Sequence, residues 1–335
     1  MSTDQLNSPT VAAPAPAARP VRRSRALDFA LDNIVWILLI VFALLANALN
    51  PFFLTLPNLQ NVLVQATTLG FLGVAIALTL LLGEIDLSVV GILGFSGAVG
   101  ALAVNAGWPG PLAVLLVLLI GTLIGLVNGF CIAKLKMNSL IETLAMGLTL
   151  GGAVLAVTKG RTITIRDPSY TFVGQGSLFG WPIMPLALVL LFVVMVELLN
   201  KTAWGRGLYA TGGNQRAAFA AGINVDRVRI GAFVMSGLLA GCAGWLATAY
   251  LSGINSTVGG DLLLYAIAAP VIGGVSLFGG RGRVLGMLGG ILLLTVVQVG
   301  LQLVNISAYY VAMVGGAMIF LAVFVDAVRV RRQVT

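Results

Sequence analysis

The chain has 335 residues, of which 59% are hydrophobic and only 9% charged, with a mean hydropathy of +1.04 and a formal net charge of +8. Soluble domains carry about 25% charge, so this composition excludes an ordinary soluble globular protein and predicts a polytopic membrane protein. There is no histidine, and the two cysteines, Cys131 and Cys242, lie inside apolar runs, so neither a His/Cys metal site nor a disulfide framework is available and no cofactor is expected.

The first 25 residues are rich in Pro, Ala, Ser and Thr and end in Arg19, Arg22, Arg23 and Arg25, with no apolar core or small-residue cleavage site directly behind the charges. That pattern is not a signal peptide; it predicts a disordered cytoplasmic tail over residues 1–28. Apolar runs of about 20 residues, the length a bilayer core requires, predict helices near 34–49, 62–82, 87–104, 112–133, 139–158, 183–199, 230–251, 262–278, 284–304 and 308–326. The expected fold is an all-α polytopic membrane protein of about ten transmembrane helices. Some segments are expected to be broken or re-entrant where Gly and Pro gather, as at Pro270, Gly273 and Gly274. This gives a membrane domain at 29–328, interrupted by a cytoplasmic connection at 200–229, and a basic cytoplasmic tail at 329–335.

With both termini in the cytoplasm, 16 of the 19 Lys and Arg residues fall on cytoplasmic segments, against Lys159, Arg161 and Arg166 outside. That asymmetry follows the positive-inside rule, and it accounts for the basic excess without nucleic acid as a partner. Trp108, Trp181, Tyr309 and Tyr310 then fall at the outer interface and Trp204 at the inner one, the depth at which amphipathic rings settle.

The segment Gly83-Glu84-Ile85-Asp86-Leu87-Ser88 places two carboxylates between apolar stretches, and the 47 residues from Leu87 to Ala133 carry no charge at all. An Asp at membrane depth costs roughly 2.5 kcal/mol or more, so such groups persist only where they face protein or a watery path. Glu84, Asp86 and Ser88 are therefore candidates for the lining of a path. Asp86 and Ser88 have a compatible second role, capping the helix expected to start near Val89. Asn128, inside the run at 112–133, serves either an interhelical hydrogen bond or a substrate contact. At 139 the spacing Ser139-x-x-Glu142 reads as a capping box, which gives Glu142 a structural role.

Two connections are long. Lys159 to Pro182, with Gly, Ser, Asp, Pro and aromatic residues, reads as an outer docking surface or as a solvated loop. Within Asn200 to Arg229, Asn214 suits an N-cap, Gly222 suits a C′ stop, and the Ala-rich stretch between them favours a helix of about two turns. Its alanines and Phe219 make a smooth face with one aromatic knob, which is read as a contact for a cytosolic partner or as an amphipathic linker on the membrane surface. Gly273, Gly274, Gly279, Gly280 and Gly282, with Phe278, Arg281 and Arg283 among them, read as a glycine hairpin allowing irregular backbone, or as a plain cytoplasmic turn.

These motifs carry a resemblance. The sequence is similar to the integral-membrane permeases of bacterial ABC importers for monosaccharides, the ribose, xylose, arabinose and galactoside group related to the branched-chain amino-acid permeases. It runs from about Asn50 to Asp326 and rests on Gly83-Glu-Ile-Asp-Leu-Ser88, Gly125-Leu-Val-Asn128-Gly129, Gly212-Gly-Asn-Gln-Arg-Ala-Ala218 with Ala221-Gly-Ile-Asn-Val225, Ser236-Gly-Leu-Leu-Ala-Gly241, and Ile272-Gly-Gly-Val-Ser-Leu-Phe-Gly-Gly-Arg-Gly282. The chain departs from that family at Glu84, where glycine is usual, and at Asn138-Ser139, where a Pro-rich turn often stands.

The resemblance implies an inner-membrane, non-enzymatic subunit that pairs with a second copy or a related permease. It further implies separate cytosolic ATPase subunits, a periplasmic or extracellular sugar-binding protein and a monosaccharide cargo. Asn214, Arg216, Ala217, Ala218, Gly222 and Ile223 would then belong to a coupling helix seated in a groove of the ATPase. The chain has no Gly-x-x-x-x-Gly-Lys-Ser/Thr loop, so ATP would be handled by another polypeptide. A proton-coupled secondary transporter using Glu84 and Asp86 is the rival from a different class, and a membrane-embedded enzyme ranks behind both for want of a nucleophile and base.

Overall fold

The long apolar runs fold as helices, because in hydrocarbon a backbone must satisfy its own hydrogen bonds. The computed structural model describes residues 33–255, 258–260, 262–307, 310–311, 313–318, 320 and 324. The expected tails at 1–28 and 329–335 lie outside the described residues. The chain divides into two units, residues 1–34 and 35–335, and the helical body belongs to the second.

In chain order the helices are α1 (Ile34–Leu49), α2 (Leu56–Leu80), α3 (Val89–Asn105), α4 (Gly110–Ala133), α5 (Ser139–Thr158), α6 (Pro168–Gln175), α7 (Met184–Lys201), α8 (Ala203–Gly213), α9 (Gln215–Ala220), α10 (Val225–Leu251), α11 (Leu262–Ile272) and α12 (Val284–Leu303). Among the described residues α2, α4, α5, α7, α10 and α12 are long and apolar enough to cross a membrane; α1, α3 and α11 are shorter apolar helices. Nine of the ten expected runs correspond to these helices. The run at 308–326 is only partly described, and its described positions are helical.

Three boundaries differ from expectation for local reasons. α2 starts at Leu56, where Pro57 occupies the first turn and the Asn58 amide bonds the Phe53 carbonyl at 2.8 Å, so polar residues that break the hydropathy pattern are still helical. α10 starts at Val225 because Asn224 caps it, accepting from the Arg227 amide at 3.0 Å, and its charged first turn belongs to the helix. The run at 262–278 is corrected to a helix ending at Ile272, since Gly274 turns the chain with φ +90°.

Two helices form the core. α2 is buried along most of its length from Val62 to Leu80, and α10 is sheathed by α4, α2 and α3. α4 and α10 meet through glycine: a side chain on Gly125 would collide with the Phe233 carbonyl, and one on Gly237 with the Gly121 carbonyl. Small residues at this spacing let two backbones touch, as membrane helix pairs require. The outward faces of α4, α5 and α7 instead show large aliphatics, among them Leu115, Leu148 and Leu190. Such surfaces suit lipid rather than water.

At the end of α10 remote from its Asn224 cap, two short antiparallel pairs close the loops. β1 (Ile163–Thr164) pairs with β4 (Gly253–Ile254), and β2 (Ser177–Leu178) with β3 (Trp181–Pro182). Between these pairs α6 is anchored by Tyr170, whose hydroxyl shares a 2.9 Å hydrogen bond with Thr248, and burial pushes that phenol up to about 12.

Candidate functional site

The segment between α2 and α3 folds around Asp86. Its Oδ1 accepts from the Ser88 amide at 3.0 Å and the Ser88 hydroxyl at 2.6 Å, while Oδ2 accepts from the Ser236 hydroxyl of α10 at 2.8 Å. Asn128 of α4 donates its amide to Ser88 Oγ at 2.8 Å. The carboxylate therefore ties the segment to α10, and Ser88 extends the link to α4. Asp86, Ser88, Asn128 and Ser236 are all fully buried, where each missing partner would cost the full desolvation of the group left behind.

Several expectations are refined here. Ser88 does stand at the N-cap of α3, but it makes no side-chain cap bond; its hydroxyl is turned to Asp86 instead. Asn128 makes an inter-element hydrogen bond, and its own Oδ1 is buried without a partner. The capping box at Ser139 and Glu142 is corrected: Asn138 is the cap, accepting from the Ile141 amide at 3.2 Å, and Ser139 is already inside the helix. Glu142 thus loses its capping role. It is 6% exposed, with Oε2 unpartnered, one residue from Thr143, whose hydroxyl accepts from the Leu87 amide at 3.0 Å.

Glu84 lies apart from the Asp86 cluster. It pairs with Arg229 at 2.9 Å, both side chains about one-sixth exposed. Ser236 and Arg229 were not among the candidates read from the sequence. Ser236 lies in the Ser236-Gly-Leu-Leu-Ala-Gly241 motif and Arg229 among the charges of the 200–229 connection; neither pattern says which carboxylate it faces.

The second assembly is α9. Asn214 caps it, accepting from the Ala217 amide at 3.0 Å. At its other end Gly222 has φ +82°, with Gly222 N donating to the Phe219 carbonyl at 2.9 Å and Ile223 N to the Ala218 carbonyl at 3.0 Å. These two bonds make a complete Schellman stop. Ala218 is buried against the chain itself, Arg216 and Ala217 are exposed, and Phe219 projects at 74% exposure. Beside Phe219 a groove of about 830 Å³ is lined by Lys134, Lys136, Arg216, Ile223 and Asp226 among others. Asp226 holds Lys134 and Lys136 at 2.9 Å each and fastens the α4–α5 turn to this rim.

The five glycines at 273–282 lie in the turn between α11 and α12, in which no helix forms. Its backbone is irregular, as both the hairpin and the turn readings expect. Gly274, Gly279 and Gly280 all have positive φ, and Gly282 fits against Leu81 and Val275. Gly280 N donates to the Leu81 carbonyl at 2.8 Å, and Gly273 is pressed on the backbone of Gly286. A side chain at Gly212 would also strike the Leu81 carbonyl. The ends of α2 and α8 and this turn therefore meet backbone to backbone.

A helical body with lipid-type flanks, a sealed polar junction and a capped helix projecting beside a basic groove has the build of a multi-pass membrane permease. A family model described as branched-chain amino acid transport system / permease component matches residues 58–323, and the chain belongs to that family. It is a multi-pass inner-membrane permease subunit of the ABC-importer type. The ribose import permease protein RbsC of Haemophilus influenzae is 36% identical over 302 residues, covering 89% of this chain and 94% of that protein. RbsC of Bacillus subtilis is 39% identical, covering 86% and 90%. The L-arabinose ABC transporter permease protein AraH of Azospirillum brasilense is 36% identical, covering 97% of each. No solved structure matches the chain.

Proposed function

We propose that this chain carries a monosaccharide or related polyol across the inner membrane, as the permease of a binding-protein-dependent importer. Two copies, or one copy with a related permease, enclose the path within the lipid. A soluble sugar-binding protein delivers cargo from outside, and two cytosolic ATPase subunits drive the cycle. In this reading about ten segments cross the membrane and both termini are cytoplasmic. Residues 29–328 form the permease domain, between cytoplasmic tails at 1–28 and 329–335. Asp86, Ser88 and Asn128, with Glu84, line or seal the path. ATP binding moves α9 as a rigid body and shifts the population between two packings of the helical body.

The observation that carries this reading is α9: six residues fixed at both ends, with Phe219 projecting beside a basic groove. An aromatic side chain presented on a pre-formed support has the character of an interface anchor. Names of relatives that transport ribose and arabinose support a monosaccharide as the cargo. The test is co-purification with the ATPase subunit. Phe219→Glu is expected to lower recovery of the ATPase at least tenfold, at unchanged permease level in the membrane, by placing a charge where the partner offers an apolar pocket. Full recovery with Phe219→Glu, or labelling of a single cysteine at Asn214 from the periplasmic side in intact cells, would remove the assignment.

A further inference from the structure

We propose that Glu84 and Arg229 form a transmission latch, a positioning pair that ties the ATPase-contacting helix α9 to the buried Asp86 junction. This rests on the coupling reading of α9 given above.

One nitrogen carries the connection. Arg229 Nη2 lies 2.9 Å from Glu84 Oε1 and donates to Gln215 Oε1 at 3.1 Å. Gln215 is the first residue of α9, and Glu84 begins the loop that leads to Asp86. The pair is far better shielded than the other ion pairs among the described residues, whose side chains are 28% to 70% exposed against 15% and 16% here. Shielded pairs are screened less, and they hold a geometry rather than a mere encounter.

α10 grips the loop at two points. Arg229 and Ser236 are seven residues apart on α10, two turns along one face. They hold Glu84 and Asp86 respectively, which are two residues apart on the loop. A displacement of α9 that pulls on Gln215 must either break a bond to Arg229 or draw Glu84 with it. Arg229 Nε is buried without a partner, so the hydrogen bonds found for this guanidinium are those of its outer fork. The backbone route runs in parallel: the end of α8 abuts Leu81 at Gly212, two residues before Gly83. The side-chain latch adds direction to that contact, because it reaches past the turn to the loop itself.

The experiment uses the whole importer, permease with ATPase and binding protein, reconstituted in ATP-loaded proteoliposomes. The probe is radiolabelled D-ribose or L-arabinose, whichever the unaltered complex takes up. Glu84→Gln and Arg229→Gln are each expected to leave ATPase recovery unchanged while raising ATP hydrolysed per sugar about threefold or more, within the range found for residues on coupling networks. The exchanged variant, Glu84→Arg with Arg229→Glu, is expected to bring that ratio back to within about twofold of the unaltered protein. An unchanged ratio in both single variants overturns the latch, as does an exchanged variant no better than either single one. Lost ATPase recovery in the single variants also overturns it, because the pair would then build the docking surface. Failure of the α9 reading itself shows separately, as full ATPase recovery with Phe219→Glu.

Discussion

The Asp86 junction and helix α9 solve opposite problems with the same chemistry. At the junction every donor is turned inward, and Asp86, Ser88 and Ser236 satisfy one another with no exposed surface. At α9 the backbone is equally well satisfied, by Asn214 at one end and the Gly222 stop at the other, yet the side chains of Arg216 and Phe219 are left outside. Hydrogen bonds thus fix shape in both places. Only the burial of side chains distinguishes the closed junction from the exposed helix.

The comparison breaks most sharply at Asp86. Asp86→Leu strands the Ser88 amide and the two serine hydroxyls in the interior, an expected cost of about 3 kcal/mol or more. It should lower both folded yield and uptake. Asp86→Asn keeps an acceptor and should retain much of the transport. Uptake in ATP-loaded vesicles, with and without an uncoupler, checks this, and loss with Asn together with uncoupler sensitivity would favour a proton carrier instead. Gly222→Pro sharpens the other side. A proline cannot take φ +82° and removes the amide that closes the stop, at about 3 kcal/mol. A side chain at Gly222 would meet nothing within 4 Å, so membrane insertion should be unchanged while ATP-driven uptake falls at least tenfold. Asp226→Asn should do least. Its lysine pairs are half to two-thirds exposed on the lysine side, and a loss of about 0.2–1 kcal/mol should appear as a shift of about 1 °C or less in the thermal unfolding of the purified permease.

What the sequence made legible was whatever depends on local pattern. Apolar runs located nine helices, and both caps of α9 followed from Asn214 and Gly222, because helix ends are governed by residues within one turn. Boundaries failed where a polar first turn is nevertheless helical, as at Asn58 and Asp226, since hydropathy reports environment rather than backbone. Ser139 misled for a different reason: Asn138 next to it is an equally good cap, and spacing alone does not choose between neighbours. Ser236 and Arg229 were illegible as partners of Asp86 and Glu84. They lie 150 and 145 positions away in the chain, and their pairing depends on how α10 is rotated against the loop.

The glycine seam between α4 and α10 has a mechanical consequence. Where side chains interdigitate, one helix can slide past another by exchanging rotamers. Here carbonyls rest directly on Cα atoms at Gly121, Gly125 and Gly237, and there is no compliant layer to shear. α10 alone has 27 residues, about 40 Å at 1.5 Å per residue. The two helices therefore act as a single stiff beam, and a tilt imposed at the Val225 end is delivered, with little loss in bending, to the loops paired at Gly253 and Ile254 on the far side.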